Sequence, residues 1–480
     1  MRDHLNEIKK ANDYIQEKQK EVVNRAFEPV YHFTPPVGWL NDPNGLIQHN
    51  GTYHLFYQFH PYSKDWGPMH WGHATSENLV DWKNESVALA PSEPYEVGER
   101  KEGYGCFSGS AVVYEDKLTL IYTGHVDSNT PKEVQCIATS NDGMMFVKSE
   151  YNPVIPSPPP SLSADFRDPK VWSYEDKWYM VVGTSENGHG GAALFRSENL
   201  TNWDYLGLAA KSNGEFGDMW ECPDLFPLHN KHALVFSPMN MEEGKNLIMI
   251  GDMDYSSGRF THDHFEEMDD GLDFYAAQTF LDEKGRRILI AWMDQWGTDF
   301  PSKQEGWAGA MTIPRVVSLT ADNAVRFEPV EELQALRREM EQVSGFTMSG
   351  TWSPVTKGQA IEMNVQVNVK NQETPFCIHV LKSDDGKEYT EIIVDPNKNQ
   401  VRMDINQSGD VSGVTTTQLA ESHTLTLHLF IDRCSVELFI NNGERVMTNR
   451  VYPKQTSERI EFISTELIQV DHLKIWTLAR

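Results

Sequence analysis

Five segments of this sequence share one plan, and that recurrence constrains the fold more than any other feature. Each opens on a polar or acidic residue, runs into a strand, turns tightly and returns as a second strand, with more strand-like sequence behind it. The segments begin DPNGLIQHNGTYHLFYQFHP, SGSAVVYEDKLTLIYTGH, RDPKVWSYEDKWYMVVGTS, ECPDLFPLHNKHALVFSPM and DFYAAQTFLDEKGRRILIAWMDQW. The turns HNG, YEDK, YEDK, HNK and EKG occupy matching places, and the tails ATSENLVDW, ATSNDGMMF and FRSENLTNW recur behind three of them. An interval of roughly 50 to 60 residues suits a propeller blade of four strands. The expected fold is all-β, built on a five-bladed β-propeller.

The flanks differ. Residues 1 to about 26 read as a short N-terminal helix, with Leu5, Ile8, Ile15 and Val22 along one stripe. PVEELQALRREM, residues 329–340, reads as a linking helix. Beyond about residue 345, IEMNVQVNVK alternates strictly, with Ile361, Met363, Val365, Val367 and Val369 on one face. HTLTLHLF and SVELFINNGERV repeat the pattern, and Asn442-Gly443 supplies a hairpin turn. A period of two with one buried face predicts a C-terminal β-sandwich. The expected division is a helix over 1–28, a propeller over 29–335, a linker over 336–345 and a sandwich over 346–480. NPVIPSPPPSLS reads as a stiff connection between blades two and three, and THDHFEEMDD as a charged loop.

Charge and cysteines narrow the partners. A net charge of −28 repels nucleic acid and anionic membranes, so neither is expected to bind. An anionic substrate would need a local basic pocket. Cys106, Cys136, Cys222, Cys377 and Cys434 form no CxxC pair, and their odd number is no disulfide framework. The N-terminal stretch lacks the apolar core of a signal peptide, and no stretch approaches a membrane span. The expected location is the cytoplasm, as a monomer or homodimer.

In a propeller the first strands of the blades line the axis, so their starts surround one mouth. Asp42 stands at the start of the first repeat, Asp168 of the third and Glu221 of the fourth, each followed within two residues by a proline. Three carboxyls around one funnel could take a cation with oxygen ligands. They could instead hydrolyse a glycoside, which needs an ionised carboxylate and a protonated acid flanking one bond. The rings of Trp39, Trp66, Trp71, Phe107, Trp220 and Trp292 suit a sugar better than a bare ion, so no metal and no cofactor are expected. Cys222, beside Glu221, reads as a small buried thiol.

The motifs WLNDPNG, YQFHP, WGHATS, FSGS, FRDP, ECPD and DFYA appear in order and in register with the repeats. Together they resemble glycoside hydrolase family 32, the family of invertases, sucrose-6-phosphate hydrolases, inulinases and levanases, from about residue 30 to the C-terminus. The resemblance implies a retaining β-fructofuranosidase of invertase type, with a small sugar as substrate: sucrose, sucrose 6-phosphate or short fructo-oligosaccharides. It makes Asp42 the nucleophile, Glu221 the acid and base, and Asp168 the stabiliser of the transition state. It assigns Asn41, Gln58, Trp66, Ser108 and Arg167 to the fructose subsite, and Trp39, Leu40, Phe107, Tyr275 and Trp292 to its rim. A phosphate on the glucose side would look to Lys64, His70 or Lys303. A fructan hydrolase, a fructosyltransferase, an inverting arabinan-type glycosidase and a non-catalytic sugar-binding propeller stay open.

Overall fold

A computed structural model describes residues 3–21, 25–99, 101–241, 244–370 and 372–480. Five sheets of four antiparallel strands follow one another in sequence, each with those strands in chain order from the inside out, and the first gains a short fifth strand at its inner edge. Their inner strands are Gly38–His49, Tyr104–Tyr114, Phe166–Tyr174, Met219–Leu228 and Tyr275–Leu281. These are the five blades, and the repeats account for their local detail. Asn50-Gly51 and Glu115-Asp116 have positive φ at both positions, as tight hairpin turns require. The tails SENLVDW and SENLTNW build one corner twice. Leu79 and Leu200 both turn left-handed, at φ 63° and 62°. Trp82 Nε1 then donates to Leu79 O at 3.0 Å, as Trp203 Nε1 does to Leu200 O at 2.9 Å.

The ring closes between blades five and one. Trp307–Ala308, in the connection after Arg287–Trp292, pairs in parallel with Gly38 and Trp39. Blades pack through buried aromatic and aliphatic side chains, with little room between backbones. A Cβ on Gly183 of blade three would stand 2.0 Å from the Trp220 carbonyl of blade four.

Helix α1, His4–Gln19, lies against blade one, with Asp3 accepting from Leu5 N at its start. Its buried stripe is Ile8, Ala11 and Ile15, while Leu5 is half exposed. Ile8 and Ile15 belong to the expected stripe, Leu5 departs from it, and Val22 lies outside the described residues. Among the described residues, no helix is long and apolar enough to cross a membrane.

The expected linking helix is a single 3-10 segment, Glu331–Leu336, and the expected linker over 336–345 is mostly strand. Arg337–Trp352 runs antiparallel to the long final strand Arg459–Leu478. That pairing outweighs the weak helical periodicity of the segment. THDHFEEMDD is likewise largely strand rather than loop, because Arg259–Glu267 forms the outer strand of blade four against Leu247–Asp254.

The C-terminal domain is two β layers joined into one ladder by the final strand. The near half of that strand, from Arg459 to Ser464, pairs with Phe376–Lys382, and its far half with Ile361–Asn368. One core cluster takes Met363, Val365, Leu427 and Leu438 from one layer and Ile378, Ile392 and Met403 from the other. The alternation read in IEMNVQVNVK holds for Ile361, Met363, Val365 and Val367, all fully buried.

Buried ions join the two domains. Arg315, wholly buried in blade five, donates to Asp269 Oδ2 at 2.9 Å and to Glu437 Oε2 of the sandwich at 2.6 Å. His32 lies between Asp432 and Glu437 of the sandwich, with each ring nitrogen 2.9 Å from a carboxylate oxygen. Burial alone would lower the His32 pKa, but the two carboxylates outweigh it and raise it to about 9. The folded protein therefore binds this proton more tightly than the unfolded chain. The stabilisation is complete below about pH 6.5 and lost as pH rises through about 9. The melting temperature should fall across that window, and His32→Gln should flatten the fall. An equal slope in both proteins, followed by calorimetry, would remove His32 from the account.

Candidate active site

All five inner strands break register with their neighbours at one level. The ladder skips Asn41 and Asp42 in blade one, Ser108 in blade two and Asp168-Pro169 in blade three. It skips Cys222-Pro223 in blade four and Ala276-Ala277 in blade five. Each break is a β-bulge, which bends the strand and re-aims a side chain. Asp168, Cys222 and Ala276 adopt φ of 65°, 49° and 54° to make it. Such left-handed positions cost of order 1–3 kcal/mol each and persist only where surroundings enforce them. Proline is tolerated at these points because the interrupted ladder asks for no N–H there.

The bulges bring three carboxyls to one mouth. Ser108 Oγ donates to Asp42 Oδ2 at 2.5 Å, and Asn41 Nδ2 donates to Asp42 Oδ1 at 3.0 Å. The Cys222 thiol lies 3.6 Å from Asp42 Oδ2 and 3.6 Å from Asp168 Oδ2, and Cys222 N donates to Asp168 Oδ2 at 2.9 Å. Arg167 donates twice to Glu221 Oε1, from Nε at 3.1 Å and Nη2 at 2.9 Å. Tyr275 Oη donates to Glu221 Oε2 at 2.5 Å. Cys222 is thus a buried bridge between two carboxyls, and burial pushes its thiol well up, away from the reactive thiolate.

Burial raises the pKa of Asp42, against the pull of Ser108 and Asn41. Burial also raises that of Asp168, to about 8, with the charges of Glu221 and Asp42 adding to it against Arg167. Burial and the crowding of like charges thus oppose full ionisation of Asp42 and Asp168 together. A site that must offer both an ionised carboxylate and a carboxylic acid needs such an environment.

The carboxyls line a cleft of about 740 Å³. Asn41, Gln58, Trp66, Phe107, Ser108, Arg167 and Tyr275 line it with them. Gln58 also ties blade one to blade two, donating to Cys106 O at 2.9 Å. Trp39, Leu40 and Trp292 do not line it. They are buried behind it, Leu40 and Trp292 completely. Trp39 Nε1 donates to Asn41 Oδ1 at 2.8 Å, so this indole supports the cleft from beneath. The exposed ring at that side is Trp296, stacked on Trp39 with centroids 6.2 Å apart.

Lys64, His70 and Lys303 are also elsewhere. Lys64 lines a separate groove with Tyr14 and Lys18 of α1, and Lys303 pairs with Asp65 at 2.6 Å with its Nζ over the rings of Trp39 and Phe300. His70 is buried, and its pKa is pushed down to about 3 by that burial. The cations that line the cleft are Arg167, Lys132 and Lys245. His125, Asp127, Glu133 and Asp165 line it too and went unread in the sequence. His125 stacks flat on Phe107, 4.0 Å between centroids, and bridges Glu133 to Asp127 at 2.9 Å each. A signal for them existed. The second strand of a blade runs back to the same mouth, so the end of TGHVD faces it as YQFHP does. Among the described residues, no group of three or more His, Cys, Asp or Glu is arranged to hold a metal ion.

Comparison with known proteins agrees along the whole chain. The description "Glycosyl hydrolases family 32 N-terminal domain" matches residues 32–329, and "Glycosyl hydrolases family 32 C terminal" matches residues 332–477. A sucrose-6-phosphate hydrolase of Escherichia coli is 40% identical over 477 residues, covering 96% of this chain and 97% of that protein. A raffinose invertase of Escherichia coli is 38% identical over 448 residues, covering 90% and 91%. A mutant of a Bombyx mori GH32 beta-fructofuranosidase, solved in complex with sucrose, superposes with a TM-score of 0.83 at 35% identity, covering 98% of each chain.

Proposed function

Since this chain belongs to glycosyl hydrolase family 32, we propose that its cleft binds a β-fructofuranosyl group and that Asp42, Glu221 and Asp168 divide its hydrolysis among them. The chain is a glycoside hydrolase acting on fructosides, and its reaction is hydrolysis of sucrose or sucrose 6-phosphate. The observation that carries the assignment of roles is the convergence of three carboxyls, each with different donors, on one cleft.

In the first step the Asp42 carboxylate attacks the anomeric carbon of the fructosyl group. The bond to the bridging oxygen breaks, and Glu221 gives that oxygen a proton as the glucose part leaves. Ser108 and Asn41 favour the ionised form of Asp42 through their hydrogen bonds. In the second step Glu221 takes a proton from water, and the resulting hydroxide displaces Asp42 from the covalent fructosyl-enzyme. The proposal predicts retention of the anomeric configuration, which in glycosidases goes with two carboxyls roughly 5 to 5.5 Å apart. Asp168, held by Cys222 N, accepts from fructose hydroxyls and favours positive charge at the anomeric carbon. Trp66 and Phe107 supply apolar faces, their centroids 6.0 Å apart and their planes crossed.

The phosphorylated substrate is the more specific form of the proposal. The chain carries a net charge of −28, so a phosphate is welcome only where cations are concentrated. Lys132 and Lys245 supply them at the cleft. The five cysteines are free, and the cytoplasm remains the proposed location.

Asp42→Asn should keep the fold and abolish turnover, because a neutral amide is a poor nucleophile. Turnover near the wild-type rate would remove Asp42 from the first step. Glu221→Gln should lower kcat by about 10²- to 10⁴-fold on sucrose and far less on a fructoside with a good leaving group. Equal losses on both would mean that Glu221 is not the acid. Comparing kcat/KM for sucrose, sucrose 6-phosphate and a short inulin tests the substrate. Sucrose 6-phosphate should lead by roughly tenfold, about 1.4 kcal/mol. Parity with sucrose would end the phosphate proposal and leave the fructosidase intact.

A further inference from the structure

We propose that the sandwich domain takes part in substrate binding through Arg450, a positioning residue that fixes the loop carrying Gln295 and Trp296 at the rim of the cleft. The inference rests on the proposed fructoside hydrolysis for its readout and on geometry for its content. Arg450 ends the strand Arg445–Arg450 and is 4% exposed. Its guanidinium crosses into the propeller. Nε donates to Asp273 Oδ1 at 3.0 Å, and Nη2 lies 2.6 Å from Asp294 Oδ1. Nη2 also donates to Thr298 Oγ1 at 2.7 Å, and Nη1 to Asp299 O at 3.3 Å. The plane of the guanidinium lies over the Phe300 ring, 4.3 Å from its centroid.

Every one of these contacts except that to Asp273 falls on the segment 294–300, which has almost no regular structure of its own. Thr298 Oγ1 reaches back to Asp294 Oδ1 at 2.6 Å and to Gln295 O at 3.2 Å, so the loop is pinned on both sides of Trp296. Trp296 lines the cleft while remaining 46% exposed. A large exposed ring on an irregular loop keeps one orientation only if the loop is anchored, and here the anchor belongs to the other domain. Phe300 extends the same support, meeting Trp39 edge-on at 5.2 Å. Trp39 in turn carries Trp296 on its face. An arginine is required rather than any cation, because its planar fork serves Asp273, Asp294 and Thr298 at once.

The test measures sucrose hydrolysis by the full-length protein and by Arg450→Lys, Thr298→Val, Trp296→Ala and the pair Arg450→Lys with Trp296→Ala. Wild-type protein inactive on sucrose and on sucrose 6-phosphate alike would defeat the proposed function and is seen before any variant is compared. With an active wild type, Arg450→Lys and Thr298→Val should each raise KM about three- to tenfold while kcat stays within twofold. Trp296→Ala should raise KM at least as much, and adding Arg450→Lys to it should change KM little further, since the two act through one loop. Multiplied effects in the pair, or an unchanged KM for Arg450→Lys with only a lower melting temperature, would reduce Arg450 to a structural ion. If Arg450→Lys does not fold, Thr298→Val decides alone, because it removes the hydroxyl that ties Arg450 to Asp294 and Gln295 on either side of Trp296 and leaves Arg450 its pairs with Asp273 and Asp294. An unchanged KM for Thr298→Val would overturn the proposal.

Discussion

Three arginine forks hold buried carboxylates at the cleft and at the domain boundary of this protein. Arg167 donates to Glu221, Glu133 and Asp165 together, and its neighbour in sequence is Asp168. Removing that cation would leave several acids in a poorly solvated cleft with little to balance them. Breaking a buried pair in this way costs about 3–5 kcal/mol, whereas the intact pair is near neutral for stability. The cleft's charge pattern is thus bought from Arg167, and its shape follows from the strands that carry the partners. Arg315 and Arg450 repeat the device at the domain boundary, Arg315 between Asp269 of the propeller and Glu437 of the sandwich, and Arg450 reaching from the sandwich to Asp273 and Asp294 of the propeller. A chain so rich in acids uses a few guanidinium groups as its internal fasteners.

The blades and the three acids were legible because repetition and position are sequence properties. Asp42, Asp168 and Glu221 occupy equivalent starts, and equivalence in a propeller means proximity. The bulges were not legible. Nothing in WLNDPNG announces that the ladder skips Asn41 and Asp42, yet that skip decides which side chains reach the cleft. Strict alternation would set Leu40 beside Asp42 on one face. The bulge separates them, sending Leu40 into the core and Asp42 to the mouth.

The same limit explains the displaced rim. The family resemblance implies that Trp39 and Trp292 belong to the rim, but a shared motif does not fix the direction of a side chain. They became the floor, and Trp296, from a loop without periodicity, became the edge. Lys64 and Lys303 come from loops that also pass near the mouth, yet Lys64 turns toward α1 and Lys303 toward Asp65 and the Trp39 ring. Long loops carry no register, so the sequence supplies their composition and not their aim. The segment after Leu336 failed for another reason. Its strand identity depends on Arg459–Leu478, more than a hundred residues away, and no local window contains that partner.

That final strand has a consequence for the order in which the molecule can be completed. It borders both layers of the sandwich and pairs with Arg337–Trp352 along nearly its whole length. During synthesis the blades emerge first and can assemble from neighbouring hairpins, whereas the sandwich must wait for a strand at the far end of the chain. Until then Arg315 and His32 face the ribosome's surroundings without Glu437 seated against them. The nascent propeller can thus set its acids in place before the sandwich is seated, and completion of the sandwich is timed by the twenty-residue strand Arg459–Leu478.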